Sequence, residues 1–144
     1  MPGAQIEIGN SYLLAKLTKN QAHFDFVVLD NPNGVFGSAG QYCEHFEALP
    51  IALQLIESKG VLIFDVNWKP YNYEQHAEWQ RRRNAYYDVA DASCFDVVEE
   101  LGPFYCGRIE ENGFAVLEWF EMPRDSDYWS YLVMIVDRME KHEY

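Results

Sequence analysis

Two apolar runs, each closed by an aspartate, constrain the possible folds more than anything else in this chain. Phe24-Asp25-Phe26-Val27-Val28-Leu29 ends on Asp30, and Gly60-Val61-Leu62-Ile63-Phe64 ends on Asp65. Nearly continuous apolar runs of this length suit strands covered on both faces, as in parallel sheets. Between them, Tyr42, Phe46, Leu49, Leu53 and Ile56 share one helical face from Gln41 to Ser58, with Pro50 as a kink or a second start. Ser58-Lys59-Gly60 reads as the helix end, where glycine is common. Strand, helix, strand is the layout of a parallel βαβ unit. Such a unit delivers both carboxylates to the C-terminal edge of one sheet, the edge where open α/β sheets bind ligands.

Outside this unit the elements are shorter. Ile6 and Ile8 alternate with polar residues as in a brief strand, and Asn10-Ser11 can cap a helix carrying Leu13, Leu14 and Leu17. A polar, solvent-facing helix is expected from Tyr73 to about Tyr87, and a second helical stretch from about Ala90 to Leu101. Phe104 to Glu110 and Phe114 to Glu121 flank Asn112-Gly113, a strong hairpin signal. Asp125-Ser126-Asp127 offers caps for a last helix with Tyr128, Leu132, Ile135, Val136 and Met139 as its apolar stripe. No repeat or linker divides the chain, so residues 1–144 read as a single domain.

Composition removes several classes of function. Apolar residues make up 49% of the 144 positions and aromatics 16%, which excludes disorder over most of the length. Lys and Arg number 11 against 23 Asp and Glu, a formal net charge of -12. That charge excludes a nucleic-acid backbone binder, which needs a basic face. No run reaches the roughly 18 apolar residues of a membrane span. Met1-Pro2-Gly3-Ala4-Gln5 lacks the features of a signal peptide, so a cytoplasmic protein is expected. Cys43, Cys94 and Cys106 are odd in number and form no C-x-x-C pair, which suits buried reduced thiols better than a disulfide framework or zinc site.

Candidate chemistry gathers at the two strand ends. Asp30 can accept hydrogen bonds from a ligand and Asn31 adds an amide, although Asp-Asn-Pro32 is equally good turn chemistry. Asp65 and Asn67 can converge with Asp30, because neighbouring strands lie about 5 Å apart. Three such oxygens suit a hard cation, but acids at strand ends are common in α/β sheets and no metal is expected. Cys43 and His45 point about 200° apart if helical, which gives no nucleophile–base pair. His23 and His76 read as surface residues, and no histidine has a visible partner. Gly34, Gly37 and Gly40 lack the spacing of a dinucleotide loop. Arg81-Arg82-Arg83 reads as a solvated helix face.

In its order of elements the chain resembles the second half of a class I S-adenosylmethionine-dependent methyltransferase. Phe24 to Pro32 is similar to that family's fourth strand and catalytic loop. Lys59 to Asp65 is similar to its fifth strand, and Phe104 to Glu121 matches its antiparallel sixth and seventh strands. The implied fold is α/β: a partial doubly wound three-layer sheet with parallel central strands, a C-terminal antiparallel hairpin and flanking helices. The resemblance assigns Asp30, Asn31 and Pro32 to the loop facing the methyl acceptor. It assigns Asp65, Asn67 and Trp68 to the substrate-pocket rim. The family's glycine-rich cofactor loop and the acid after its second strand have no counterpart here. S-adenosylmethionine therefore enters by resemblance only, with no cofactor-binding residue assigned and no ground to expect catalysis by this chain alone.

A half-sheet of this kind leaves the strand carrying Val27 as an apolar edge, an aggregation liability. Either the Ile6–Ile8 strand or another chain covers it, so a homodimer or partner-dependent protein is expected. The alternative function is an acidic protein-binding module of the inhibitor or immunity type. It would act through Tyr71, Tyr73, Trp79, Tyr86 and Tyr87 as interface anchors.

Overall fold

The computed structural model describes residues 21–30, 45–71 and 73–140. Among them, β1 (Phe24–Leu29), α1 (Ala48–Leu55), β2 (Ile56–Asn67), α2 (Ala77–Tyr87), α3 (Gly102–Glu111), β3 (Phe114–Met122) and β4 (Trp129–Arg138) form a mixed α/β fold. The four strands make one sheet in the order β1-β2-β4-β3. β1 and β2 are parallel, with Phe26 beside Val61 and Val28 beside Ile63. β4 is antiparallel to both β2 and β3. The expected βαβ unit is present, with β1 on the expected residues. β2 starts earlier, so Ser58-Lys59-Gly60 lies within the strand rather than ending a helix. The Ile6–Ile8 strand, the Asn10–Leu17 helix, the Gly34–Gly40 loop and Cys43 lie outside the described residues.

The hairpin is displaced along the chain. Phe104–Glu110 belongs to α3, and the expected last helix is strand β4. Val97, Leu101, Tyr105 and Ile109 recur every four residues and are all buried, a helical stripe running from a π-type turn at Val97–Leu101 into α3. Asp96 caps this stretch by accepting from the backbone N–H groups of Val98 and Glu99. Asn112-Gly113 is then the helix terminus: Gly113 has φ +86° and its N–H donates to the Glu110 carbonyl. In β4, Ser130, Leu132, Met134 and Val136 alternate into the core. The stripe read as helical also fits a two-residue period, and the content of β-branched and aromatic side chains favours the strand.

Helix α2 is not a purely solvent-facing helix. Trp79, Arg83 and Tyr87 recur every four residues and are buried. Of the proposed interface aromatics, Tyr73, Trp79 and Tyr87 are core residues and Tyr86 stacks on Phe46 at 3.9 Å, while Tyr71 is 57% exposed. The aromatic surface expected for a binding module is thus largely internal packing. Arg81 and Arg82 do pair on the outside, with Glu78 and Glu47, but Arg83 is buried. Among the thiols, Cys94 is exposed and Cys106 half-buried; burial, then the nearby Glu110 carboxylate, pushes the Cys106 thiol up. No helix among the described residues is long and apolar enough to cross a membrane.

Candidate functional site at the C-terminal edge of the parallel strands

Asp30 follows directly on β1, and Asp65 lies near the end of β2. β4 enters the sheet beside them from the opposite direction, so its first residues sit at the same edge. Asp65 pairs across the ladder with Tyr131, and Asn67 with Trp129. The Tyr131 hydroxyl donates to Asp30 Oδ1 at 3.0 Å. One phenol from β4 therefore links the ends of β1 and β2, and the two aspartates converge around it.

Arg124, in the turn between β3 and β4, completes the cluster. Its Nη1 donates to the Tyr131 hydroxyl at 2.6 Å, and its guanidinium lies 3.6 Å over the Trp129 ring. Partial burial raises the Tyr131 pKa, the Asp30 hydrogen bond and charge raise it further, and Arg124 opposes them. The phenol is thus held protonated, as a donor to Asp30. Replacing Asp30 with asparagine removes the neighbouring negative charge and is expected to lower the Tyr131 pKa, read by a ¹³Cζ NMR titration of the tyrosines. An unchanged or raised value would show that Asp30 does not govern the phenol.

Asp65 differs from Asp30 in its surroundings. It is 5% exposed, and its Oδ1 lies 2.5 Å from Nε2 of the buried His45. The partner missing from the sequence reading of His45 is thus Asp65, brought to it by the βαβ crossover. Asp30 is exposed at the rim. Asn67 is buried, and its Oδ1 has no hydrogen-bond partner among the described residues. Trp68 is half-buried against the core, and its carbonyl accepts from the Phe95 N–H at 2.9 Å. Asn31 and Pro32 lie outside the described residues. The described residues contain no group of three or more His, Cys, Asp or Glu placed to hold a metal ion.

Tyr131, Trp129 and Arg124 are the members that sequence reasoning missed. Reading Tyr128–Met139 as helical hid Trp129 and Tyr131, for which the alternation Trp129, Tyr131, Val133, Ile135 was the available signal; Arg124, in the preceding turn, carried no local signal. A cavity of about 780 Å³ lies at the other end of the sheet, lined in part by Ser58, Gly113 and Arg138. There Arg138 donates to the carbonyls of Ile56 and Glu57, so its charge is engaged in holding β4 to the start of β2.

No protein-family model matches the chain, and no curated protein matches it. Among solved structures it is similar to M. jannaschii TYW2, determined in complex with AdoMet, at 12% identity and a TM-score of 0.40 over 80% of this chain and 39% of that one. It is similar to an O-methyltransferase family protein from Burkholderia thailandensis at 15% identity and a TM-score of 0.43, over 94% and 36%. It is also similar to a SAM-dependent methyltransferase from Methanosarcina mazei at 10% identity and a TM-score of 0.45, over 88% and 65%. The chain spans less than half the length of the first two and 65% of the third.

Proposed function

We propose that this chain is a methyltransferase-like domain corresponding to the substrate-side half of a doubly wound sheet, with the methyl acceptor held at the C-terminal edge of β1 and β2. The observation that carries the reading is the convergence of Asp30 and Asp65 around Tyr131 at that edge. Ligand sites of open α/β sheets form there. Asp30, with Asn31 and Pro32 after it, faces the acceptor. Its Oδ1 takes the Tyr131 hydroxyl, which leaves Oδ2 to accept from an N–H or O–H of the bound group. Asp65, Asn67 and Trp68 form the rim, with His45 holding Asp65 in place. The unmatched Asn67 Oδ1 supplies a further acceptor, since a buried oxygen without a partner is costly to maintain.

In this reading S-adenosylmethionine would supply the methyl group, but no described residue is assigned to hold it, and the domain alone is not expected to complete the transfer. Two measurements on the full chain test the proposal. Isothermal titration with S-adenosylmethionine and S-adenosylhomocysteine is expected to give no saturable heat; tight binding would place a cofactor site on this chain and end the half-domain reading. Small amide and phenol fragments are expected to shift NMR resonances of Asp30, Asn67 and Tyr131, with the shifts reduced in Asp30→Asn. Fragments that perturb only the region around Ser58 and Arg138 would move the ligand site to the other end of the sheet.

A further inference from the structure

β3 closes one edge of the sheet, since the strand order is β1-β2-β4-β3. Among the described residues the backbone of Phe114–Met122 bonds to β4 alone, so its outward N–H and C=O groups form an open row. Folded proteins blunt such an edge with lysines, with proline, with a bulge, or by covering it. β3 carries no lysine or arginine, and only Glu118 and Glu121 of its nine residues are charged. Its register shifts between Val116 and Glu118, where Leu117 is 51% exposed. Beyond that shift the ladder runs evenly from Glu118 beside Ile135 to Met122 beside Tyr131, and Pro123 follows the last residue. Phe120 and Met122 project from the same face of this regular run and are 47% and 41% exposed.

We infer that this edge is a homodimer interface: β3 pairs antiparallel with β3 of a second copy, with Phe120 opposite Phe120 on the two-fold axis. The residues of the strand select both the occupant and the register. In a two-fold pairing of this kind directly opposite residues share a face, so the axis passes through one residue. At Glu118 or Glu121 it would set two carboxylates directly opposite, which is destabilising. At Trp119 it would draw the irregular Leu117 into the ladder opposite Glu121, and at Met122 it would oppose most of the run to the turn after Pro123. At Phe120 the regular run covers itself from end to end. Glu118 then lies opposite Met122 and Trp119 opposite Glu121, and the next position outward is Pro123, which has no N–H to give. Each glutamate meets an uncharged residue of the second copy, and Glu121 Oε1 already accepts the Ser130 hydroxyl at 2.7 Å. The two Phe120 rings pair across the axis, with Met122 of each chain diagonal to the other's Phe120. The pairing is short, so the dimer is weak and concentration-dependent. Two chains of net charge -12 repel at long range, so salt strengthens it by screening. This edge is the one opposite to β1, and the inference stands apart from the methyltransferase-like reading.

Light scattering and sedimentation of the full chain at rising concentration test the association. The mass is expected to move from monomer toward dimer, further in high salt than in low. Phe120→Lys puts like charges on the axis and is expected to raise the dissociation constant at least about tenfold. The side chain is about half exposed, and circular dichroism checks that the variant folds. Crosslinking reads the register even where association is weak. In a Cys94→Ser background, Phe120→Cys is expected to form an intermolecular disulfide under mild oxidation, because opposite Cβ atoms lie about 5 Å apart. Glu118→Cys, whose two copies would stand about 14 Å apart along the ladder, is expected not to. A monomer at every concentration in which Phe120→Cys also fails to crosslink would overturn the inference. So would a dimer that Phe120→Lys leaves intact or that salt dissolves, or equal crosslinking by the two cysteine variants. A chain that stays monomeric but binds an unrelated Thr/Val strand peptide along β3 would give the edge to a different partner, and equally overturn it.

Discussion

Arg83→Ala is expected to destabilise the domain by about 3–5 kcal/mol, the largest effect of any single substitution considered. Arg83 is 0% exposed in the middle of α2, and its Nε donates to the Ala92 carbonyl at 3.1 Å. Its guanidinium lies 5.2 Å from the Tyr87 ring centre, 5.6 Å from Phe95 and 5.8 Å from Tyr73. Truncation leaves a void between three rings and an unanswered carbonyl, and it loses the attraction of a desolvated cation for aromatic faces. Urea denaturation should show a lower midpoint, and the melting temperature should fall by roughly 10–15 °C. Arg83→Lys should recover part of the loss at most, because an ammonium cannot reproduce the planar fork. Arg81→Ala is the matched control: its side chain is 69% exposed in a surface pair, so the change should stay within about 0.5 kcal/mol. A loss under about 1 kcal/mol for Arg83→Ala would show that the aromatic enclosure contributes little.

Gly102→Ala is expected to cost about 3 kcal/mol by overpacking rather than by loss of contact. A Cβ at position 102 would stand 2.0 Å from Cη2 of Trp119 and 2.2 Å from Cζ3. The indole of β3 lies directly on the first turn of α3, and only a residue without a side chain lets helix and strand approach so closely. Either the ring or the helix start must move, and the helix carries Tyr105 and Ile109 into the core a turn or two later. The double variant Gly102→Ala, Trp119→Leu separates the causes. If the clash is responsible, the two substitutions together should cost less than the sum of their separate effects. Strict additivity would attribute the loss to helix-start conformation instead.

The βαβ unit was legible because a period-independent apolar run bounded by turn residues admits few alternatives, and β1 lies where that run does. The hairpin was not. Phe104–Glu110 carries enough aromatic residues to look like a strand, and Asn112-Gly113 serves a helix terminus as well as a tight turn. The decisive pattern, Val97, Leu101, Tyr105 and Ile109, crosses the boundary drawn at Leu101. Likewise, an arginine run on a polar helix gives no local sign that its third member turns inward. Only the four-residue recurrence of Trp79, Arg83 and Tyr87 hints at it.

Sequence alone determined the α/β class, the βαβ unit and the presence of Asp30, Asp65 and Asn67 near strand ends, because these follow from local periodicity and turn chemistry. Tertiary structure decided which groups those residues meet. His45 reaches Asp65 over the crossover, and Tyr131 reaches Asp30 from a strand 101 positions away in the chain. No local pattern encodes such contacts; they arise when an antiparallel strand is laid beside a parallel pair and its register is set by the core residues on the opposite face.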